Sequence, residues 1–350
     1  MGRFYNSRMH RLHVFVIFWA LASTSISALA QVVQYDKPDR EQFLLQGAKK
    51  EGEVMIYTSL VPEDLTALAA AFERKYGVNL KSWRANSEKV LQRAVTEARA
   101  GRHEADAVET NGPQLEALYR EKGLQPLRSP HLKDLMPQAL RPHGYWVGTR
   151  INMFVQSYNT RLVKKGELPK SYAELADPRW KGRLGIEAED EDWFAMVVTD
   201  LGEEAGLRLF RDIVRTNGLS VRKGHTLLAG LVASGEIPLA LTTYSHGAEK
   251  MKQRGAPVEW FAIAPAIGRA NGIGITARPP HPHAAALFAD FLLSPEGQTI
   301  LQKGGNVPAN LRVADPAQKL QLKFVDPALI LDDFEKWKKL WAQIVLGAPR

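Results

Sequence analysis

Residues 158–186 read YNTRLVKKGELPKSYAELADPRWKGRLGI and compress a strand end, a crossover and the start of a new strand into one stretch. Ser171, followed three residues later by Glu174, has the form of a capping box, in which each side chain satisfies a free backbone N–H at the start of a short helix. Asp177-Pro178 predicts the end of that helix, because proline disfavours helical backbone at the residue before it.

Upstream, the alternation of strand and helix continues. Glu53 to Thr58 reads as a buried strand, and Pro62 to Tyr76 as a helix with Leu65, Leu68, Ala69 and Phe72 along one face and Gly77 at its end. Val78 to Trp83 predicts the next strand. Ser87 is placed to cap a helix running to Ala100, which Gly101 ends. Ala105 to Val108 gives a third strand, after which Pro113 opens a helix that Gly123 closes. Such alternation predicts an α/β fold with a mostly parallel sheet covered by helices on both faces. Ligands in such sheets sit beyond the carboxyl ends of the strands. That rim contains Thr58, Ser59, Ser87, Glu109, Thr110 and Asn111, all of them also ordinary turn and cap residue types.

The first thirty residues have the layout of a cleavable export signal. Arg3, Arg8 and Arg11 form a basic start, VFVIFWALA (14–22) an apolar core, and Ala28-Leu29-Ala30 a cleavage site ahead of Gln31. The apolar run falls short of the ~20 residues a membrane-spanning helix needs. With no cysteine in the chain, a lipid-modified cysteine anchor, disulfides and thiolate metal sites are excluded. The expected location is the periplasm, without a lipid anchor. Losing the three arginines and no acids takes the net charge from +8 to +5. Export and scattered basic residues argue against nucleic acid as a partner. The densest basic group, Arg208, Arg211, Arg215, Arg222 and Lys223, has the spacing of a solvated helix face and its exit turn.

The remaining length exceeds one comfortable core and predicts two lobes. The expected division is lobe 1 from 31–150 with 264–310, lobe 2 from 151–263, and C-terminal helices at 311–350 packing on the lobes. In lobe 2, strands are expected at Leu184 to Glu187, Ile237 to Thr242, Trp260 to Ala264 and Ile273 to Thr276, the last two returning towards lobe 1. Helices are expected from about Asp192 and from Glu203 to Thr216. Two crossings between lobes, near 146–158 and 260–275, predict a hinge. Phe288 to Leu293 and Phe334 to Ile344 read as amphipathic helices on the outside.

Gly272 to Ala277 matches G-x-G-x-x-A, but Pro279-Pro280 follows where a dinucleotide site requires a helix. His281-Pro282-His283 reads as a structural helix start. The densest functional signal is Glu187, Glu189, Asp190, Glu191 and Asp192, followed by Trp193, between a strand end and a helix start. Acids there complement the helix dipole. Five in six positions exceed that need, and two facing inward would suit a hard cation or an amine. Tyr244 follows the strand Ile237 to Thr242 at the ligand rim, with His225 and His246 as further candidates.

The 158–186 segment, with its ELADPRWKGRLGI order, resembles the start of the second lobe in periplasmic solute-binding proteins of ABC importers, in the branch that includes the ferric-iron-binding proteins. FADFLLSPEGQ (288–298) resembles that family's late helix and turn. The likeness runs from about Gly52 to about Pro308 and implies a two-lobed type II periplasmic-binding-protein fold. It implies a binding protein rather than an enzyme: a monomer that captures a small ligand and delivers it to a membrane permease and its ATPase, with no cofactor of its own. The first ligand it implies is Fe³⁺, with Tyr244 at the position of one of two adjacent iron-binding tyrosines and Asp190 and Asp192 beside it. Ser245 stands at the second tyrosine position, and Leu60-Val61 and Thr110-Asn111, with Glu109 nearby, stand where the relatives' histidine and glutamate ligands fall. Arg150 matches the place where relatives hold an anion. The expected ligand-binding set is therefore Ser59, Asn111, Arg150, Glu187, Asp190, Asp192, Trp193, His225 and Tyr244. A small organic or phosphorylated anion, or an amine, is the alternative ligand; a secreted hydrolase or metalloenzyme is the alternative class.

Overall fold

A computed structural model describes residues 31–313 and 322–347; the expected export signal and its cleavage site lie outside the described residues. The chain forms β1 (Glu53–Thr58), β2 (Asn79–Arg84), β3 (Ala107–Asn111), the short β4 (Leu124–Gln125) and the long β5 (Trp146–Asn159). There follow β6 (Leu184–Glu187), β7 (Ser220–Arg222), β8 (Leu239–Tyr244), β9 (Val258–Phe261), β10 (Ala266–Thr276), β11 (Val307–Pro308) and β12 (Leu322–Phe324).

One strand arrangement occurs twice, although the sequence does not repeat. In the first half β2, β1 and β3 run parallel and β10 closes the row antiparallel to β3. In the second half β7, β6 and β8 run parallel and β5 closes the row antiparallel to β8. β5 and β10 pair with each other from Trp146 opposite Gly274 to Phe154 opposite Ile267, so two long adjacent strands carry the chain between the lobes. Beyond Phe154, β5 pairs with β8 on one edge and β9 on the other. A lobe division at 150/151 thus falls inside β5.

Helices cover both faces of each sheet. In lobe 1 the helix Pro282–Leu293 is buried all round except at His283, with Phe72, Leu68 and Ile56 among its neighbours. A helix apolar on every side belongs inside, so it is a core element and not the amphipathic outer helix expected from 288–293. Tyr57, Val90, Leu115 and Trp146 pack on the opposite face. In lobe 2, Trp193, Phe194 and Phe210 pack with Trp337 and Trp341 from the C-terminal helix Phe334–Ile344, and Leu228, Val232 and Ala248 form a second cluster.

Several local expectations give way to nearer competitors. Glu174 accepts from the Lys170 N–H at 3.1 Å, so the expected capping box at Ser171 does not form, and the segment makes 3-10 turns at Ala173–Ala176 and Pro178–Trp180. Asp177 begins the second turn by accepting from the Arg179 N–H at 2.9 Å. Asn86, not Ser87, caps the helix Ser87–Arg99, accepting from the Lys89 N–H at 3.1 Å. The helix Gly112–Arg120 is closed by Lys122 at φ 58°, ahead of Gly123. β10 begins at Ala266, well before the expected Ile273, and Tyr244 is the last residue of β8 instead of lying past it.

Candidate functional site

The carboxyl ends of β1, β3, β6 and β8 meet at one cleft of about 720 Å³ lined from both lobes. On the lobe 1 wall, Asn111 at the end of β3 accepts from Asn271 at 3.1 Å and Asn152 at 3.4 Å. These two asparagines stand on the crossing strands and keep their own carbonyl oxygens buried without a partner, as Ser59 keeps its hydroxyl. Arg150 is buried and donates to Glu109, whose other oxygen accepts from Thr58 at 2.6 Å. Glu109 is therefore committed to Arg150 and Thr58.

The lobe 2 wall carries the acidic run. Glu187, closing β6, accepts from the Gly224 N–H at 2.8 Å and the Glu189 N–H at 2.5 Å. Asp190 is 0% exposed, and neither of its oxygens sits in a well-formed hydrogen bond. Its Oδ1 lies 3.2 Å from His225 Nε2. Ligand atoms of Glu187, Asp190 and His225 all lie within 4.8 Å of one another. Burial, then the Asp190 charge, pushes the Glu187 carboxyl up. Burial pulls the His225 imidazole down, but the Asp190 and Glu187 charges outweigh it and raise its pKa. Glu191 is pushed up to about 7, chiefly by burial. Glu189 pairs with Lys223 and accepts from Asn86 across the cleft at 3.3 Å.

Two expected site residues are placed elsewhere. Asp192 spends one oxygen on Arg269 at 2.6 Å and the other on the Trp193 N–H at 2.8 Å, so it is not available to a metal. Trp193 is wholly enclosed, edge-on to Tyr172 and Phe210, and serves the lobe 2 core instead of the ligand.

Tyr244 lines the cleft with its ring between those of His225, 3.7 Å away, and His246, 5.4 Å away. Arg269 donates to the phenol oxygen and sets its guanidinium 4.9 Å from the Phe154 ring. Burial raises the phenol pKa, against the lowering effect of Arg269. Burial, then the Arg150 and Lys250 charges, holds His246 well below the usual imidazole range. At the cleft mouth Asp64 of lobe 1 accepts from Lys250 of lobe 2 at 2.7 Å and from Asn306 at 2.7 Å, and Glu63 pairs with Arg254 at 2.9 Å.

Arg269, Asn271 and Asn152 escape a reading of the sequence. The signal was there for Arg269: a lone charge in AIGRANGIGIT (266–276), a strand of otherwise small and apolar residues, needs a buried partner.

Comparison with known proteins agrees with this geometry. The chain is 29% identical over 294 residues to iron uptake protein A1 of Synechocystis sp., covering 76% of this chain and 79% of that one. Its fold matches iron-bound HitA from Pseudomonas aeruginosa with a TM-score of 0.73 at 23% identity, over 83% of this chain and 99% of that one. It also matches the periplasmic binding protein AfuA from Actinobacillus pleuropneumoniae, with fructose-6-phosphate bound, at a TM-score of 0.74 and 23% identity, over 85% and 99%. The architecture is thus the two-lobed type II periplasmic-binding-protein fold, and among the described residues no helix is long and apolar enough to cross a membrane. Residues 67–323 match the family described as bacterial extracellular solute-binding protein, and the chain belongs to that family.

Proposed function

We propose that this chain is the periplasmic binding component of an ABC importer for ferric iron, passing it to a membrane permease and its ATPase. Asp190 carries the reading. A fully buried carboxylate whose partner is the His225 imidazole, with the Glu187 carboxylate converging on the same point, gathers more negative charge than one imidazole balances and is completed by a cation. Two carboxylates, an imidazole and the neighbouring Tyr244 phenol are a hard donor set of the kind a small, highly charged ion takes. Arg269 favours the phenolate form of Tyr244 and, with Asp192, balances charge behind it. The names of iron uptake protein A1 and iron-bound HitA support the same ligand.

A second reading has its own observation. The cleft is far larger than an ion, and near Arg150 the Ser59 hydroxyl is free to donate while the Asn152 and Asn271 oxygens are free to accept from hydroxyl groups, which suits a small hydroxyl-bearing organic or phosphorylated anion, alone or beside the metal. Native mass spectrometry of the mature protein from its own periplasm, joined to metal analysis, separates the readings. One iron per chain, lost in Asp190→Asn, is the expected result, and a colourless protein that takes up no ferric ion but carries an organic mass overturns it. Loss of a metal ligand should weaken ferric binding by more than the ~10- to 100-fold typical of supporting residues.

A further inference from the structure

The helix Phe334–Ile344 lies beyond residue 323, where the family match ends, yet it reaches the ligand cleft, which Phe334 and Lys338 line. On its buried side Trp341 is wholly enclosed, edge-on to Phe194 at 5.5 Å, and its indole N–H donates to the Ala188 carbonyl oxygen at 2.8 Å. Ala188 stands in the turn between Glu187 and Asp190. Its own N–H donates to the Arg222 carbonyl at 2.9 Å. Ala188 is therefore gripped on both sides, by β7 through its N–H and by the C-terminal helix through its C=O. A turn has no ladder of backbone bonds to fix it, so such grips decide where its side chains point.

We infer that Trp341 is a positioning residue for the ligand site, holding the Ala188 peptide so that the Glu187 and Asp190 carboxylates converge with His225. This rests on the reading of those carboxylates as ligand groups. Trp337 supplies the control: it sits on the same helix and packs on the same Phe194, at 6.2 Å, but is not hydrogen-bonded to the acidic turn.

The test compares Trp341→Phe with Trp337→Phe in the full mature chain. Both keep an aromatic ring and lose an indole. Hydrogen exchange of the peptide spanning 187–192, measured without ligand, should quicken about tenfold in Trp341→Phe and not in Trp337→Phe, as expected for one lost hydrogen bond. Affinity for ferric ion should fall about tenfold in Trp341→Phe alone. Unchanged exchange, equal effects in the two variants, or faster exchange with unaltered ferric affinity each overturn the inference. A wild type that binds no ferric ion removes the iron reading instead, and exchange at 187–192 then decides the role of Trp341 by itself. Should Trp341→Phe not fold, the indole N–H resonance of the wild type decides: a protected proton that shifts on adding gallium(III), a diamagnetic stand-in for ferric ion, supports the grip, and a fast-exchanging, unshifted one overturns it.

Discussion

Single side chains in the cleft make stability depend on pH. Glu191, pushed up to about 7, and Glu187, also raised, are both shifted mainly by burial from the ~4.3 of an unfolded chain. A group whose pKa rises on folding contributes stability that is fully present below its unfolded pKa and is lost as pH rises through the folded one. The ligand-free protein should therefore melt at a higher temperature near pH 5.5 than near pH 8, and Glu191→Gln should remove much of that slope; melting curves across this range check it, and a flat wild-type profile refutes it. Arg269 gives a second expectation. Asp192→Ala leaves a buried guanidinium without its carboxylate and should cost about 3–5 kcal/mol, whereas replacing Asp192 and Arg269 together by apolar residues should recover much of that loss in denaturant melts. Tyr244→Phe forfeits one hydrogen bond to a charged guanidinium, net roughly 1.5–3 kcal/mol, and should also abolish any iron-dependent colour. The acidic run was legible as a group at the right rim. Its division was not, because Asp192 is claimed by an arginine 77 residues away and Asp190 is left to His225, pairings that only the fold creates.

The elements themselves were largely legible, and their ends were not. Strand and helix alternated where the apolar periodicity put them, because parallel strands covered on both faces read as continuous apolar runs such as EVMIYT. The capping box failed because Glu174 accepts from the Lys170 N–H, one residue before Ser171, and Asn86 outcompeted Ser87 by one position. β10 was read only in part because its glycines look like turn residues. They are there for contact. Gly272 sits at the irregular register between β10 and β5, and a Cβ on it would overlap the Val147 carbonyl oxygen and press on Trp146. Gly272→Ala should therefore cost about 1–3 kcal/mol, or more if the backbone cannot give, as measured by urea unfolding. Phe288→Ala, in the helix buried on nearly every side, should cost about 3–5 kcal/mol, a loss out of scale for an outer helix.

Across the whole molecule, the cleft is lined from both lobes, and the Asp64–Lys250 and Glu63–Arg254 pairs bridge its mouth in this conformation. Asp64 is 4% exposed by its side chain, so opening the cleft returns its carboxylate to water and closing it demands a partner. Lys250→Ala should shift the ligand-free ensemble towards the open form, raising the radius of gyration in small-angle scattering, and should weaken ligand binding by the fraction of closed molecules lost. No difference from wild type in either measurement would rule the bridge out as a determinant of closure. The absence of cysteine has a practical side as well. Thiols introduced at Arg99 of lobe 1 and Arg215 of lobe 2, whose side chains are 70% and 78% exposed, would be the only two in this sequence. A donor and an acceptor dye attached there would convert lobe movement into a change in energy transfer, making this protein an optical reporter of its own cargo.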